Sequence, residues 1–169
     1  MTSQPEQPGQ YACAAAWAAL SAAHAMVTEQ LSAALAGSCG LSINEFEVLL
    51  RVSRAAGPGL RQGLLRSAVR LTQPSLSRAV ARLERHGWLR RSGAPGDGRG
   101  VLVAITPAGR EVLGRAAGLH AGIIRTLLLD QLDPDEQELL ARALTRVAER
   151  GPGAHPEPEQ PWPSQPHSA

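Results

Sequence analysis

Leu71-Thr72-Gln73-Pro74-Ser75-Leu76-Ser77-Arg78-Ala79-Val80-Ala81-Arg82-Leu83-Glu84-Arg85-His86-Gly87 carries the signals of one complete helix. Thr72 can cap its start by accepting from a free first-turn amide. Pro74 sits in the first turn, where a missing N–H costs nothing. Gly87 stands just past the last turn, where a left-handed residue closes a helix. Leu76, Val80 and Leu83 recur at helical spacing and predict one buried stripe. The opposite face carries Gln73, Ser75, Ser77, Arg78, Arg82 and Arg85. Such a face suits a DNA major groove, where Arg pairs with guanine, Gln with adenine and Ser with a base edge or phosphate. A solvated surface helix would look similar, so the neighbouring segments decide.

Before this helix, Leu60 to Val69 predicts a short helix with Leu64, Leu65, Ala68 and Val69 apolar. Two helices joined by a turn of about three residues make a helix-turn-helix, although this turn lacks the Gly often found there. After it, Trp88-Leu89-Arg90-Arg91 and Val101-Leu102-Val103-Ala104-Ile105 flank the Gly- and Pro-rich segment Ser92 to Gly100. This pattern predicts a two-stranded hairpin, and a hairpin in that place is a wing.

Working outward, Ser42-Ile43-Asn44-Glu45 is a capping box that opens a helix buried through Phe46, Leu49 and Leu50 and stopped before Gly57-Pro58-Gly59. An Ala-rich helix over about 10–36 places Trp17, Leu20, His24, Val27, Leu31 and Leu35 on one stripe. Its few charges predict that most of its circumference is covered, by a second subunit among other partners. His24 reads first as a packed, hydrogen-bonded core residue and second as a ligand contact. Thr106-Pro107 opens a long helix over about 107–129, with Val112, Leu113, Ala116, Leu119, Ile123, Ile124, Leu127 and Leu128 apolar. Asp133-Pro134-Asp135-Glu136 restarts a last helix over about 134–149, whose Leu139, Leu140, Ala143, Leu144 and Val147 are expected to face inward. Residues 1–9 and the Pro-rich tail 151–169 are expected to be disordered. The expectation is thus a mainly α fold with a small β-hairpin wing: a DNA-binding lobe over about 42–105 and a helical dimerisation region around it.

Composition narrows the function. All 17 basic residues are Arg, and the net charge is only +2. Between Arg61 and Arg99, however, nine arginines stand against Glu84 and Asp97, a net +7. A basic middle between near-neutral or acidic flanks points to a polyanion. Cys13 and Cys39 are too few for a disulfide framework or a zinc site. No segment reads as a membrane span or a signal peptide, which places the chain in the cytoplasm. Gly96-Asp97-Gly98-Arg99-Gly100 lacks the Lys-Ser/Thr of a phosphate loop and joins two strands. No His, Cys or acid cluster has metal-ligand spacing. The reading is therefore of a non-enzyme without metal or cofactor.

Leu41-Ser42-Ile43-Asn44-Glu45-Phe46-Glu47-Val48-Leu49-Leu50, Leu71 to Arg78, Leu83-Glu84-Arg85-His86-Gly87, the wing Asp97-Gly98-Arg99-Gly100-Val101-Leu102-Val103 and Ile105-Thr106-Pro107-Ala108-Gly109 resemble the MarR family of bacterial transcription regulators. The resemblance covers roughly Tyr11 to Arg150, and the D-x-R wing followed by the Thr-x-x-Gly helix start is its most specific part. It implies a homodimer held by the first and last two helices and two winged lobes on a palindromic double-stranded operator. It further implies a small-molecule or redox inducer, and the reading adopted is a repressor released by a small molecule. Recognition-helix contacts carry over to Gln73, Pro74, Ser75, Ser77 and Arg78, with Arg82 on the same face. Arg99 matches the wing Arg that enters the minor groove, and Asp97 the acid that orients it. Gly98 fills a position often basic in the family, so this wing has one tip Arg fewer. An inducer pocket between dimer helices and lobes would be lined by Trp17, Leu20 and His24, which suits an aromatic or amphipathic molecule.

Two alternatives stand beside this reading. One is a winged module that only binds protein. The other is a thiol-based peroxide sensor using Cys13, since some similar regulators place a lone Cys near the start of the first helix among tyrosines. Tyr11 is the only Tyr here. A small buried residue is therefore the preferred reading of Cys13.

Overall fold

The computed structural model describes the backbone of residues 8–69, 71–94 and 97–150, and the side chains of 13–69, 71–93 and 100–150. Among the described residues, six α-helices and three strands follow in the order α1 (Pro8–Cys39), α2 (Ile43–Ser53), β1 (Leu60–Arg61), α3 (Gln62–Ala68), α4 (Gln73–Arg85), β2 (Leu89–Ala94), β3 (Asp97–Ile105), α5 (Pro107–Leu127) and α6 (Pro134–Arg150), with a short 3-10 turn at Leu129–Gln131. Helix α1 already includes Pro8 and Gly9, two residues expected to lie in a disordered terminus. The tail 151–169 lies outside the described residues.

The mainly α architecture with a winged helix-turn-helix is present, and its local causes are those in the sequence. Ser42 caps α2 through the complete capping box with Glu45. Thr72 caps α4 by accepting from the Ser75 amide at 3.4 Å. Gly87, at φ 72°, closes α4: its amide donates to Glu84 and that of Trp88 to Leu83, both at 2.9 Å. Thr106 caps α5 by accepting from the Gly109 amide at 3.0 Å. Its hydroxyl also faces the Gly87 carbonyl at 2.6 Å, tying α5 to the end of α4.

One element was not anticipated. The segment expected to be helical from Leu60 begins as strand β1, which pairs antiparallel with β3 (Leu60 opposite Val103, Arg61 opposite Leu102). The wing is thus a three-stranded sheet in the order β1-β3-β2. Gly59 makes this possible. It sits at φ 148°, and a Cβ there would lie 2.7 Å from the Val103 carbonyl oxygen. A two-residue strand has no periodicity to read. The hairpin is also longer than expected, because Ser92 and Gly93 on β2, and Gly98 and Gly100 on β3, belong to the strands.

The chain divides into two compact units, residues 1–120 and 121–169. The core of the first gathers Leu31, Leu35 and Leu41 with Phe46, Val48 and Leu49 of α2. Leu65, then Leu76, Val80 and Leu83 of α4, Leu89 and Val103 of the sheet, and Val112, Leu113 and Ala116 of α5 complete it. By length and composition Pro107–Gln131 could cross a membrane, contrary to the sequence reading. Its buried Val112, Leu113 and Ala116 are instead part of this core. In the second unit Asp133 and Glu136 cap α6 reciprocally, each bond 2.9 Å. No residue of α6 is buried.

Candidate nucleic-acid interface

Helix α4 presents two faces. Leu76, Ala79, Val80 and Leu83 are buried, while Gln73, Pro74, Ser77, Arg78 and Arg85 are exposed. The apolar stripe anchors the helix on the lobe, so its polar side chains project from a rigid support. Ser75 is half-buried. Its hydroxyl receives Thr72 at 3.0 Å and Arg78 at 3.3 Å. This pre-organises the first turns of the helix and leaves the remaining donors of Arg78 available to an acceptor.

Arg82 does not share that freedom. It lies three residues after buried Ala79 and seven after Ser75, on the flank of α4 that faces α2. There its Nη1 pairs with Glu45, whose side chain is only 5% exposed. Its Nη2 donates to the Gly40 carbonyl at 3.1 Å. Arg82, expected to contact a base or phosphate, thus also holds two intramolecular partners, while its side chain stays 40% exposed. Burial works to raise the Glu45 carboxyl, yet the hydrogen bonds from Arg82 and Ser42 outweigh it and hold the group below the usual carboxylate range. Asn44, Ser75, Arg78, Arg82 and Arg85 line a groove of about 440 Å³ between the start of α2 and α4.

A second ion pair joins the recognition helix to the wing. Arg91 on β2 donates through Nε to Glu84 of α4 at 2.8 Å and through Nη2 to the same oxygen at 2.5 Å. The hydrogen bond from Arg91 holds the Glu84 carboxyl below its ordinary range. Neither this bridge nor the Glu45–Arg82 pair carried a sequence signal, because the partners of the second are 37 residues apart. The side chains of Asp97 and Arg99 lie outside the described residues, and only their place on β3 is given.

The other sequence candidates stand apart. Trp17 is 71% and Leu20 41% exposed. His24 is exposed too, with its ring 3.5 Å from the Thr28 hydroxyl, so it is no core histidine within one chain. Of the expected α1 stripe, Leu31 and Leu35 are buried. Cys13 is exposed rather than packed, and Cys39 is half-buried. Of the α6 residues expected to face inward, Leu140 and Ala143 are half-buried, while Leu139 is 58%, Leu144 39% and Val147 69% exposed. The physical reason is common to all of these. A helix stripe predicts burial but not which molecule supplies the cover.

Comparison with known proteins points the same way as this geometry. The MarR family model matches residues 40–100, from just after α1 into the first half of β3. The regulator PecS of Dickeya dadantii is 30% identical over 108 residues, 63% of this chain and 64% of that protein, so the chain covers just under two thirds of it. An HTH-type transcriptional regulator of Bacillus cereus is 30% identical over 120 residues, 71% of this chain and 78% of the relative. A MarR family transcriptional regulator from Streptomyces coelicolor, solved in complex with DNA, superposes with a TM-score of 0.75. It is 29% identical, over 88% of this chain and 92% of its own.

Proposed function

The chain belongs to the MarR family of transcriptional regulators, and we propose that it acts as a cytoplasmic homodimer that binds a palindromic operator and represses until a small aromatic or amphipathic molecule releases it. One observation carries the DNA-binding part. The exposed Gln73, Ser77 and Arg78 lie opposite a fully buried stripe, on a helix braced by its own lobe and tied to a wing. Such a helix can enter the major groove without distorting. The net +7 of residues 61–99 supplies the electrostatic attraction. A streptomycete relative of the same fold was solved with DNA bound. The relatives are HTH-type transcriptional regulators.

Dimerisation is supported by the exposed apolar side chains of α1 (Trp17, Leu20, Met26) and of α6 (Leu139, Leu144, Val147). Gln73, Pro74, Ser75, Ser77 and Arg78 are the proposed major-groove set. Asp97 and Arg99 are the proposed wing pair, with Arg99 in the minor groove, where negative potential concentrates. Trp17, Leu20 and His24 are the proposed inducer contacts, completed by a second subunit.

The test is selection of duplexes from a random pool, followed by footprinting of the winner. A two-fold symmetric site with half-sites about one helical turn apart is expected. Recovery of no preferred sequence would leave the protein-binding module as the better reading. Cys13→Ser should leave DNA affinity and its response to peroxide unchanged, and a peroxide-driven release that vanishes in the variant would make the thiol the trigger.

A further inference from the structure

The Arg82 side chain reaches across three helix ends. Its own helix is α4. Its Nη2 donates to the Gly40 carbonyl, just past the end of α1, at 3.1 Å. Its Nη1 pairs with Oε2 of Glu45, in the first turn of α2. That same oxygen accepts the Ser42 backbone amide at 2.8 Å, completing the capping box that starts α2. One carboxylate oxygen therefore fixes the α1–α2 corner and receives the recognition helix. The guanidinium fork suits this task, because it offers two parallel donors at a set spacing to two acceptors on different elements. Glu45 is 4% exposed, so it cannot exchange its partner for water without cost.

We propose that Glu45 and Arg82 form a positioning brace that sets the angle of the recognition helix relative to α1, and that Arg82 acts on DNA through this brace rather than by touching it. The proposal rests on the DNA-binding reading above and names a regulatory joint within it. Helix α1 is a proposed dimer helix, so any change in dimer geometry reaches α4 through the Gly40–Arg82–Glu45 link. A two-fold operator is read only when both recognition helices meet successive major-groove faces together. Loosening the link should therefore blur sequence preference while leaving the general attraction to phosphates intact.

Glu45→Gln and Arg82→Ala separate these roles. Glutamine can still complete the capping box but brings no charge to Arg82. Binding is measured against the duplex selected by the wild-type protein and a scrambled duplex of equal length, across a salt series. Both variants should lose on the order of tenfold in operator preference. Both should keep the salt slope on scrambled DNA. Arg82→Lys should not restore preference, since an ammonium lacks the fork. If Arg82→Ala lowers the slope by about one unit per subunit, Arg82 contacts a phosphate and the brace is wrong. If Glu45→Gln behaves as wild type, the brace is equally wrong.

Amide exchange on the DNA-free protein gives an independent arm. Arg82→Ala should speed exchange around residues 40–46, and Glu45→Gln around 80–87, with the rest of the lobe unchanged. Absence of both effects overturns the brace. Their presence in a protein that selects no DNA would keep the brace and refute the operator reading instead.

Discussion

Helices α4 and α6 are built on the same plan, an apolar stripe backed by charged residues, yet one closes within the chain and the other does not. In α4 the stripe of Leu76, Ala79, Val80 and Leu83 is buried by its own lobe. In α6 the stripe of Leu139, Leu144 and Val147 stays open. The difference divides the labour. A helix whose apolar side is satisfied internally can offer its polar side to another molecule without losing its place. A helix whose apolar side is open offers that side itself. The first arrangement suits recognition of a charged, hydrated polymer. The second suits permanent association with a second copy.

The largest effect should come from breaking the closed helix. Leu83 is fully buried between α4 and the rest of the lobe. Leu83→Ala should cost about 2–5 kcal/mol of stability through lost burial and the cavity left behind. Denaturation at several protein concentrations should show the same loss at each, because the lesion lies inside one chain. A similar logic holds at Gly109, where an added Cβ would overlap the Trp88 carbonyl oxygen and lie 2.9 Å from Ile105. That glycine is what lets α5 start against the end of α4.

The open helix should behave in the opposite way. Leu139→Glu combined with Val147→Glu replaces two exposed residues and no buried one, so the lobe should remain folded. It should weaken the dimer's affinity by tenfold or more, each decade representing about 1.4 kcal/mol. Sedimentation should show about twice the chain mass for the wild type and the chain mass for the variant. A wild type that is already a folded monomer would remove the proposed distinction between α4 and α6.

Much of the closed helix could be read in advance, and the reasons are local. Thr72, Pro74 and Gly87 mark its ends because capping chemistry depends on only three or four neighbouring residues. The stripe follows from helical spacing. The same is true of the caps at Ser42, Thr106 and Asp133. What was not legible depends on pairs distant in the chain. Arg82 resembles its neighbours Arg78 and Arg85 in sequence, and only its pairing with Glu45 of α2 and the Gly40 carbonyl separates it from them. Strand β1 exists because β3 accepts it, not because Leu60-Arg61 has any preference of its own. The open stripes of α1 and α6 were legible as apolar but not as open, since periodicity specifies a face and leaves its partner unnamed.

On the polar side of α4 the comparison can be sharpened by two arginines. Arg78→Ala should cost on the order of 1–3 kcal/mol per half-site on the selected operator and relax preference at one symmetric base-pair position, with little effect on scrambled DNA. Arg99→Ala should weaken both DNAs together and make the salt dependence shallower by about one unit for each lost phosphate-region charge. If the two patterns are exchanged, the groove assignments of helix and wing must be exchanged as well.

The smallest effect concerns pH, and it too distinguishes the closed lobe from the open helix. His120 of α5 stacks on Phe46 at 5.0 Å, and burial lowers its pKa below the usual value of about 6.5. In the window between that lowered value and 6.5 the unfolded chain binds more protons than the folded one, so stability falls as pH falls through it. Glu45 and Glu84 are both held below the ordinary carboxylate range. Their contributions are present above the unfolded carboxylate value and are lost as pH drops towards the folded values. All three shifts therefore act in one direction, and the lobe should lose stability on the acid side in two stages. The first, just below pH 6.5, belongs to His120 and should show as a lower melting temperature there than at neutral pH. The second, in the carboxylate range, belongs to the Arg82 and Arg91 pairs. His120→Asn should flatten the first stage and Glu45→Gln should reduce the second, leaving the part owed to Glu84, as followed by thermal denaturation between neutral and acid pH. The Leu139→Glu, Val147→Glu variant should retain both stages, because every titrating group concerned lies in the lobe that closes on itself. A first stage that disappears with that variant would place His120 under the control of the open helix.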